Sequence, residues 1–293
     1  MKAHLTGFVL ASLVALAVPT VAEPQTAPAK AQWAKPQRIV STNVCADQLA
    51  LLLADRARVI SVSRMAVEPQ ISHYADIART IPVNNARAEE IVELKPDLIL
   101  GDIYTGKGAN RLAATLGVPL HIVGWSTSIA DVRTILRDAG KAIGEPERAE
   151  RVIADMDARI ARAHVVKSRP MTALVYEPNG ITSSTGTLTH DVLTAAGLTN
   201  LAPKLMDGSY GTVPLEIVVA SAPELLILDD SYTGTSSRAQ GILRHPAFKS
   251  LAGRTTMFTL PSNLWICPGP WVAEAVERLA AERARLASLP KPE

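Results

Sequence analysis

Glu89-Glu90-Ile91-Val92-Glu93-Leu94-Lys95-Pro96-Asp97-Leu98-Ile99-Leu100 and Glu216-Ile217-Val218-Val219-Ala220-Ser221-Ala222-Pro223-Glu224-Leu225-Leu226-Ile227-Leu228 lie more than a hundred residues apart and share one pattern. In each, a Glu stands seven positions before a Pro, and the Pro is followed by an acid and a short apolar run. The pattern reads as a helix feeding a buried strand, used twice. It predicts an α/β chain of two similar lobes. Each lobe presents a carboxylate at the start of an equivalent helix, a pair that a two-fold partner can grip.

Working outward, further apolar runs alternate with segments of helical period. In the first half these are Arg38 to Ser41, Val59 to Val62, Asp97 to Leu100 and Leu120 to Val123; in the second, Thr172 to Tyr176, Glu224 to Leu228 and Thr255 to Leu260. Runs without strict alternation suit strands covered on both faces, hence mostly parallel sheets flanked by helices. The chain is expected to end in a helix from about Trp271 to Ala287. Between the halves, Pro146 to Lys167 has no Gly and no internal Pro, and Val152, Ile153, Met156 and Ile160 recur at helical spacing. Pro146 and Ser168-Arg169-Pro170 bound one long helix, either a connector between lobes or an ordinary crossover within one domain. The division expected is an N-terminal lobe at 38–145, a connecting helix at 146–168 and a C-terminal lobe at 169–293, with a ligand cleft between the lobes.

The first residues read as an export signal. Lys2 precedes an apolar run from Phe8 to Val18, and Thr20-Val21-Ala22 offers a small-residue cleavage site. Cleavage after Ala22 leaves a leader at 23–37, rich in Pro, Ala, Lys and Gln, outside the fold. The formal net charge is +2 with scattered basic residues, so nothing resembles the clustered positive face that nucleic acid demands.

Taken in order, Arg38-Ile39-Val40-Ser41, the helix from Asp47 to Ala54, Val59 to Ser63, Glu89 to Leu100, Leu116-Gly117-Val118-Pro119-Leu120, the long helix and the Glu216 to Leu228 repeat carry a family likeness. The chain resembles the periplasmic binding proteins of ABC importers that carry vitamin B12 and ferric siderophores, the helix-linked class of substrate-binding protein. The resemblance implies two α/β lobes around a cleft and a periplasmic monomer. Such a protein captures a cobalamin-type or ferric-siderophore-type ligand and hands it unchanged to a permease dimer in the inner membrane. No cofactor is implied beyond cobalt or iron within the ligand itself.

In that family one Glu per lobe docks into Arg pockets of the transporter, and the matching residues are Glu89 and Glu216, with Asn85 and Thr212 expected as helix caps. Glu90 is the alternative in the first lobe. Acids near helix starts are also favoured by the helix dipole with no partner at all. Ligands of open α/β sheets gather beyond the carboxyl ends of the strands. The loops there hold Tyr104, Trp125, Tyr210, Trp265 and Trp271, expected to form an apolar wall, together with Asn43, Asn179 and Tyr232. Arg64 stands where the resemblance places a ligand-contacting side chain, and a solvated surface Arg is the alternative.

Two cysteines, Cys45 and Cys267, fall in loops facing the expected cleft. In an oxidising compartment they read as a disulfide pair, with two free thiols or two unrelated buried residues left open. A zinc or manganese site is disfavoured because His73, His121, His164, His190 and His245 show no ligand spacing. Ser183-Ser184-Thr185-Gly186-Thr187 with His190 and Asp191 suggests a hydrolase, but Gly-x-Ser-x-Gly is missing and the cluster reads better as a helix cap.

Overall fold

The computed structural model describes residues 35–104, 107–164, 169–229 and 241–289. The expected signal segment, most of the leader, Tyr232 and the last residues of the connecting helix lie outside the described residues. No helix among the described residues is long and apolar enough to cross a membrane.

The first sheet has the order β3-β2-β1-β4-β5, built from Ile39–Ser41 (β1), Val59–Ser63 (β2), Val83–Asn84 (β3), Leu98–Gly101 (β4) and Leu120–Ile122 (β5). The second has the order β11-β10-β6-β8, from Met171–Tyr176 (β6), Leu198–Asn200 (β8), Leu225–Leu228 (β10) and Thr256–Thr259 (β11). All of these pairings are parallel. An antiparallel ribbon joins Ile181–Ser183 (β7) to Tyr210–Thr212 (β9). The two sheets repeat one strand order: β5, β4, β1 and β2 correspond to β11, β10, β6 and β8.

The quoted repeat explains this correspondence. Helices α3 (Ala88–Glu93) and α8 (Leu215–Ser221) feed β4 and β10. The residue before each Pro takes positive φ, +45° at Lys95 and +40° at Ala222, a left-handed step that ends the helix and turns the chain into the strand. The acid after each Pro then reaches the neighbouring strand. Asp97 accepts the backbone N–H groups of Gln37 at 2.7 Å and Arg38 at 2.8 Å, just before β1. Glu224 accepts the N–H of Thr172, the second residue of β6, at 2.9 Å and pairs with Arg169. Each carboxylate thereby pins the start of the central strand beside its partner.

The expected caps are corrected by the structure. Glu89 and Glu216 are each the second residue of their helix, after Arg87 and Pro214. Asn85 instead donates its backbone and side-chain N–H groups to Glu90, at 2.7 and 3.0 Å, and Thr212 belongs to β9. Glu90 is thus occupied within its own lobe, while Glu89 and Glu216 are exposed.

The long helix α6 (Pro146–His164) lies between α5 (Ile129–Ile143) and the C-terminal α9 (Val272–Ala287). Gly140 permits the close approach of α5 and α6, since a Cβ there would stand 2.5 Å from that of Ala149. Arg133–Asp157, Arg137–Glu150 and Arg159–Glu277 pairs lace the outer surfaces of the three helices. Beneath them one apolar core runs from Leu49 and Leu53 of α1 (Val44–Leu53), through Leu136, Ile153 and Met156, to Val276 and Leu279, and takes in Val175 of β6. Helix α6 is therefore one member of a shared helical layer. Asp97→Ala removes the acceptor of two strand N–H groups and is expected to cost about 1–3 kcal/mol in urea unfolding. An unchanged midpoint would contradict the pinning role.

Candidate functional site

The carboxyl ends of the parallel strands from both sheets face one cavity of about 610 Å³. From the first lobe come Asn43 and Cys45 after β1, Asp102 to Tyr104 after β4, and Trp125 after β5. From the second come Glu177 and Asn179 after β6, Tyr210 on β9, Asp229 after β10, and Trp265, Ile266 and Pro268 after β11. Parallel strands bring their loops together at one end, so residues far apart in sequence meet here.

Four of the expected wall residues are brought together. Tyr104 is 66% exposed, Trp125 65% and Tyr210 51%, while Trp265 is only 6% exposed and its indole N–H has no hydrogen-bond partner among the described residues. Large exposed apolar side chains gathered around one concavity are characteristic of interaction surfaces. Two expected residues are not part of it. Trp271 is buried behind the cleft, its Nε1 donating to the Cys267 carbonyl at 2.8 Å and its ring stacked on His73, centroids 5.6 Å apart. Arg64 is exposed in the turn after β2 and does not line the cavity.

Cys45 and Cys267 are bonded, with S–S 2.04 Å and Cα atoms 5.1 Å apart. The bridge spans 222 residues of sequence and ties the first turn of α1 to the loop before α9. On the chain-entropy view such a closure removes roughly 5 kcal/mol of unfolded-state freedom.

The acids of the cleft were not anticipated. Asp102, Glu177 and Asp229 each follow directly on a strand, β4, β6 and β10 respectively. Asp102 receives the Asn43 side-chain amide at 2.7 Å and the Tyr104 N–H at 2.9 Å, which orients the aromatic loop. Tyr176 and Leu228 are in register, so Glu177 and Asp229 emerge side by side from adjacent strands. Burial, with the Asp229 charge beside it, pushes the Glu177 carboxyl up to about 7. The same burial, with Glu177 nearby, raises the Tyr210 phenol. Among the described lining residues there is no Lys, Arg or His, so the cavity joins aromatic walls to an acidic floor.

The hydrolase cluster is dispersed by the fold. Thr187 caps α7 (Leu188–Ala195) by accepting from the His190 N–H at 3.1 Å, His190 faces the Asn200 amide at 3.2 Å, and Asp191 accepts the Ile129 N–H at 2.7 Å. Among the described residues, no group of three or more His, Cys, Asp or Glu is arranged to hold a metal ion.

The raised Glu177 has a definite consequence for stability. Its folded carboxyl binds a proton more tightly than the unfolded one, so the folded state loses stability as pH rises from the ordinary carboxylate range through about 7. Glu177→Gln is expected to gain on the wild type between about pH 5 and pH 8, by roughly 3 kcal/mol at most. Urea unfolding at both pH values checks this, and a pH-independent difference would contradict it.

A family profile described as "Periplasmic binding protein" matches residues 39–258. A search of curated proteins finds no match. Among solved structures, the periplasmic heme-binding protein RhuT from Roseiflexus sp. RS-1 is 24% identical with a TM-score of 0.71, over 86% of this chain and 99% of that one. The vitamin B12 binding protein BtuF of Vibrio cholerae is 17% identical with a TM-score of 0.65, over 87% and 99%. A protein of an Fe3+-hydroxamate transport system from Saccharomonospora viridis is 20% identical with a TM-score of 0.62, over 84% and 92%. At these identities the structures share the two-lobed α/β fold, while the profile spans most of the chain. The chain belongs to the periplasmic binding protein family.

Proposed function

We propose that this chain is the substrate-binding component of an ABC importer, exported through its N-terminal 22 residues, that captures a metal chelate of corrinoid or ferric-hydroxamate type. The observation that carries the ligand class is the pairing of Tyr104, Trp125, Tyr210 and Trp265 with Asp102, Glu177 and Asp229 in one cavity. Aromatic faces supply contact area to a large, compact chelate at small entropic cost. The carboxylates repel anions and accept hydrogen bonds from amides or amines. A corrinoid carries neutral amide arms around a cationic cobalt centre, and a ferric trihydroxamate is uncharged. A ferric tris-catecholate carries a triple negative charge with no described cation to meet it.

Delivery follows from the repeat. Glu89 and Glu216 are exposed at the same helical position in the two lobes, suited to matched cationic pockets on a permease dimer. Exposed charges of this kind orient and speed docking more than they tighten it.

Titration of tryptophan fluorescence with cobinamide, a ferric trihydroxamate, haem and a ferric tris-catecholate tests the ligand class. Cobinamide or the trihydroxamate is expected to bind at least about tenfold more tightly than the tris-catecholate, a gap of ~1.4 kcal/mol. Preference for the tris-catecholate would contradict the charge argument. For delivery, Glu89→Arg combined with Glu216→Arg is expected to abolish uptake with chelate affinity unchanged. Persisting uptake would contradict the docking role.

A further inference from the structure

The loop from Pro261 to Trp271 joins β11 to α9, so chain order assigns it to the second lobe. Its fastenings face the first. Cys267 is bonded to Cys45 in α1, and the Asn263 side-chain amide donates to the Pro69 carbonyl at 3.1 Å. Trp271 stacks on His73 and meets Tyr74 edge-on at 6.2 Å. Gly269 allows this ring to fold back, since a Cβ there would stand 2.1 Å from it. The same loop presents Trp265, Ile266 and Pro268 to the cavity, and Ser262 keeps it beside Asp229 at 3.3 Å.

We propose that the Cys45–Cys267 disulfide is a positioning element of the ligand cleft, fastening the Trp265 to Pro268 wall to the first lobe so that reduction frees the wall while both sheets stay folded. The hydrogen bond and the ring stack are contacts that thermal motion opens and closes; the covalent bond keeps them in register. The consequence for ligand rests on the reading of the cavity as the ligand site. Cys45 lines the cavity and Cys267 is fully buried, so the route of reduction proposed is attack of an external dithiol on the Cys45 sulfur from the cavity. Its thiolate attacks there and its second thiol resolves the mixed disulfide. Two electrons and two protons end on Cys45 and Cys267, and the reagent becomes a cyclic disulfide. A bound chelate covers that sulfur. By linkage, the factor by which reduction weakens ligand equals the factor by which ligand favours the oxidised form.

Hydrogen exchange on the full chain, oxidised and reduced with dithiothreitol, tests the positioning without any ligand. Amides of 261–271 are expected to exchange at least about tenfold faster after reduction, through local openings that low urea does not accelerate, while amides of β1, β4, β6 and β10 keep the steep urea dependence of global unfolding. Unaltered exchange in 261–271 overturns the proposal, and so does exchange there that takes on the urea dependence of the strands, which would make the bond a staple of the whole fold only. The Cys45→Ser/Cys267→Ser variant serves as a reagent-free control. For the chelates used in the fluorescence titration, reduction is expected to weaken binding about tenfold or more, and bound chelate to slow reduction. Equal affinity in the two redox states overturns the positioning role. Failure of the oxidised protein to bind any chelate would instead count against the ligand reading, with hydrogen exchange deciding the positioning.

Discussion

The carboxylate that follows each proline of the repeat, Asp97 in one lobe and Glu224 in the other, holds the start of the central strand against its neighbour. That contact sets the register of β1 on β4 and of β6 on β10. In a parallel sheet the register at the amino ends decides which residues emerge together at the carboxyl ends. Asp102, Glu177 and Asp229 owe their places to it, as does the loop carrying Tyr104. One short motif, used twice, thus builds both halves of a cleft.

The cleft works by opposing preferences. On the proposed reading, aromatic faces from both lobes give a large chelate its contact area, while the acids beneath them select against negative charge. Burial, with the Asp229 charge beside it, raises the carboxyl of Glu177 to about 7, so the pair eases its repulsion by holding a proton. A ligand that donates hydrogen bonds to this pair competes with that proton.

Much of this architecture could be read before the fold was seen. The apolar runs of β1, β4, β6 and β10 are continuous because both faces of these strands are covered, and a continuous run is a strong signal. The strands β3, β7, β8 and β9 hold only two or three residues each, too few to show a period. Asn85 was expected to cap α3 because its type suits a cap, but the Glu90 carboxylate takes its N–H groups. For the aromatic residues, sequence places a side chain in a loop without fixing its side. Trp265 and Trp271 are six positions apart, yet one lines the cavity and the other packs behind it, because Gly269 lets the chain fold back. The cysteine pairing was open for the same reason, since only the fold brings positions 45 and 267 within reach. The three acids carry little signal in the sequence because a polar residue after an apolar run is an ordinary way for a strand to end. Their shared position directly after β4, β6 and β10 is the signal available in the sequence.

The account stands on capture of one chelate between the lobes without chemical change. Native mass spectrometry of the purified chain mixed with cobinamide and with a ferric trihydroxamate measures this directly. The expected result is one added chelate per chain for at least one of them, released at its original mass. A spectrum without any adduct, or release of a chemically altered compound, would contradict it.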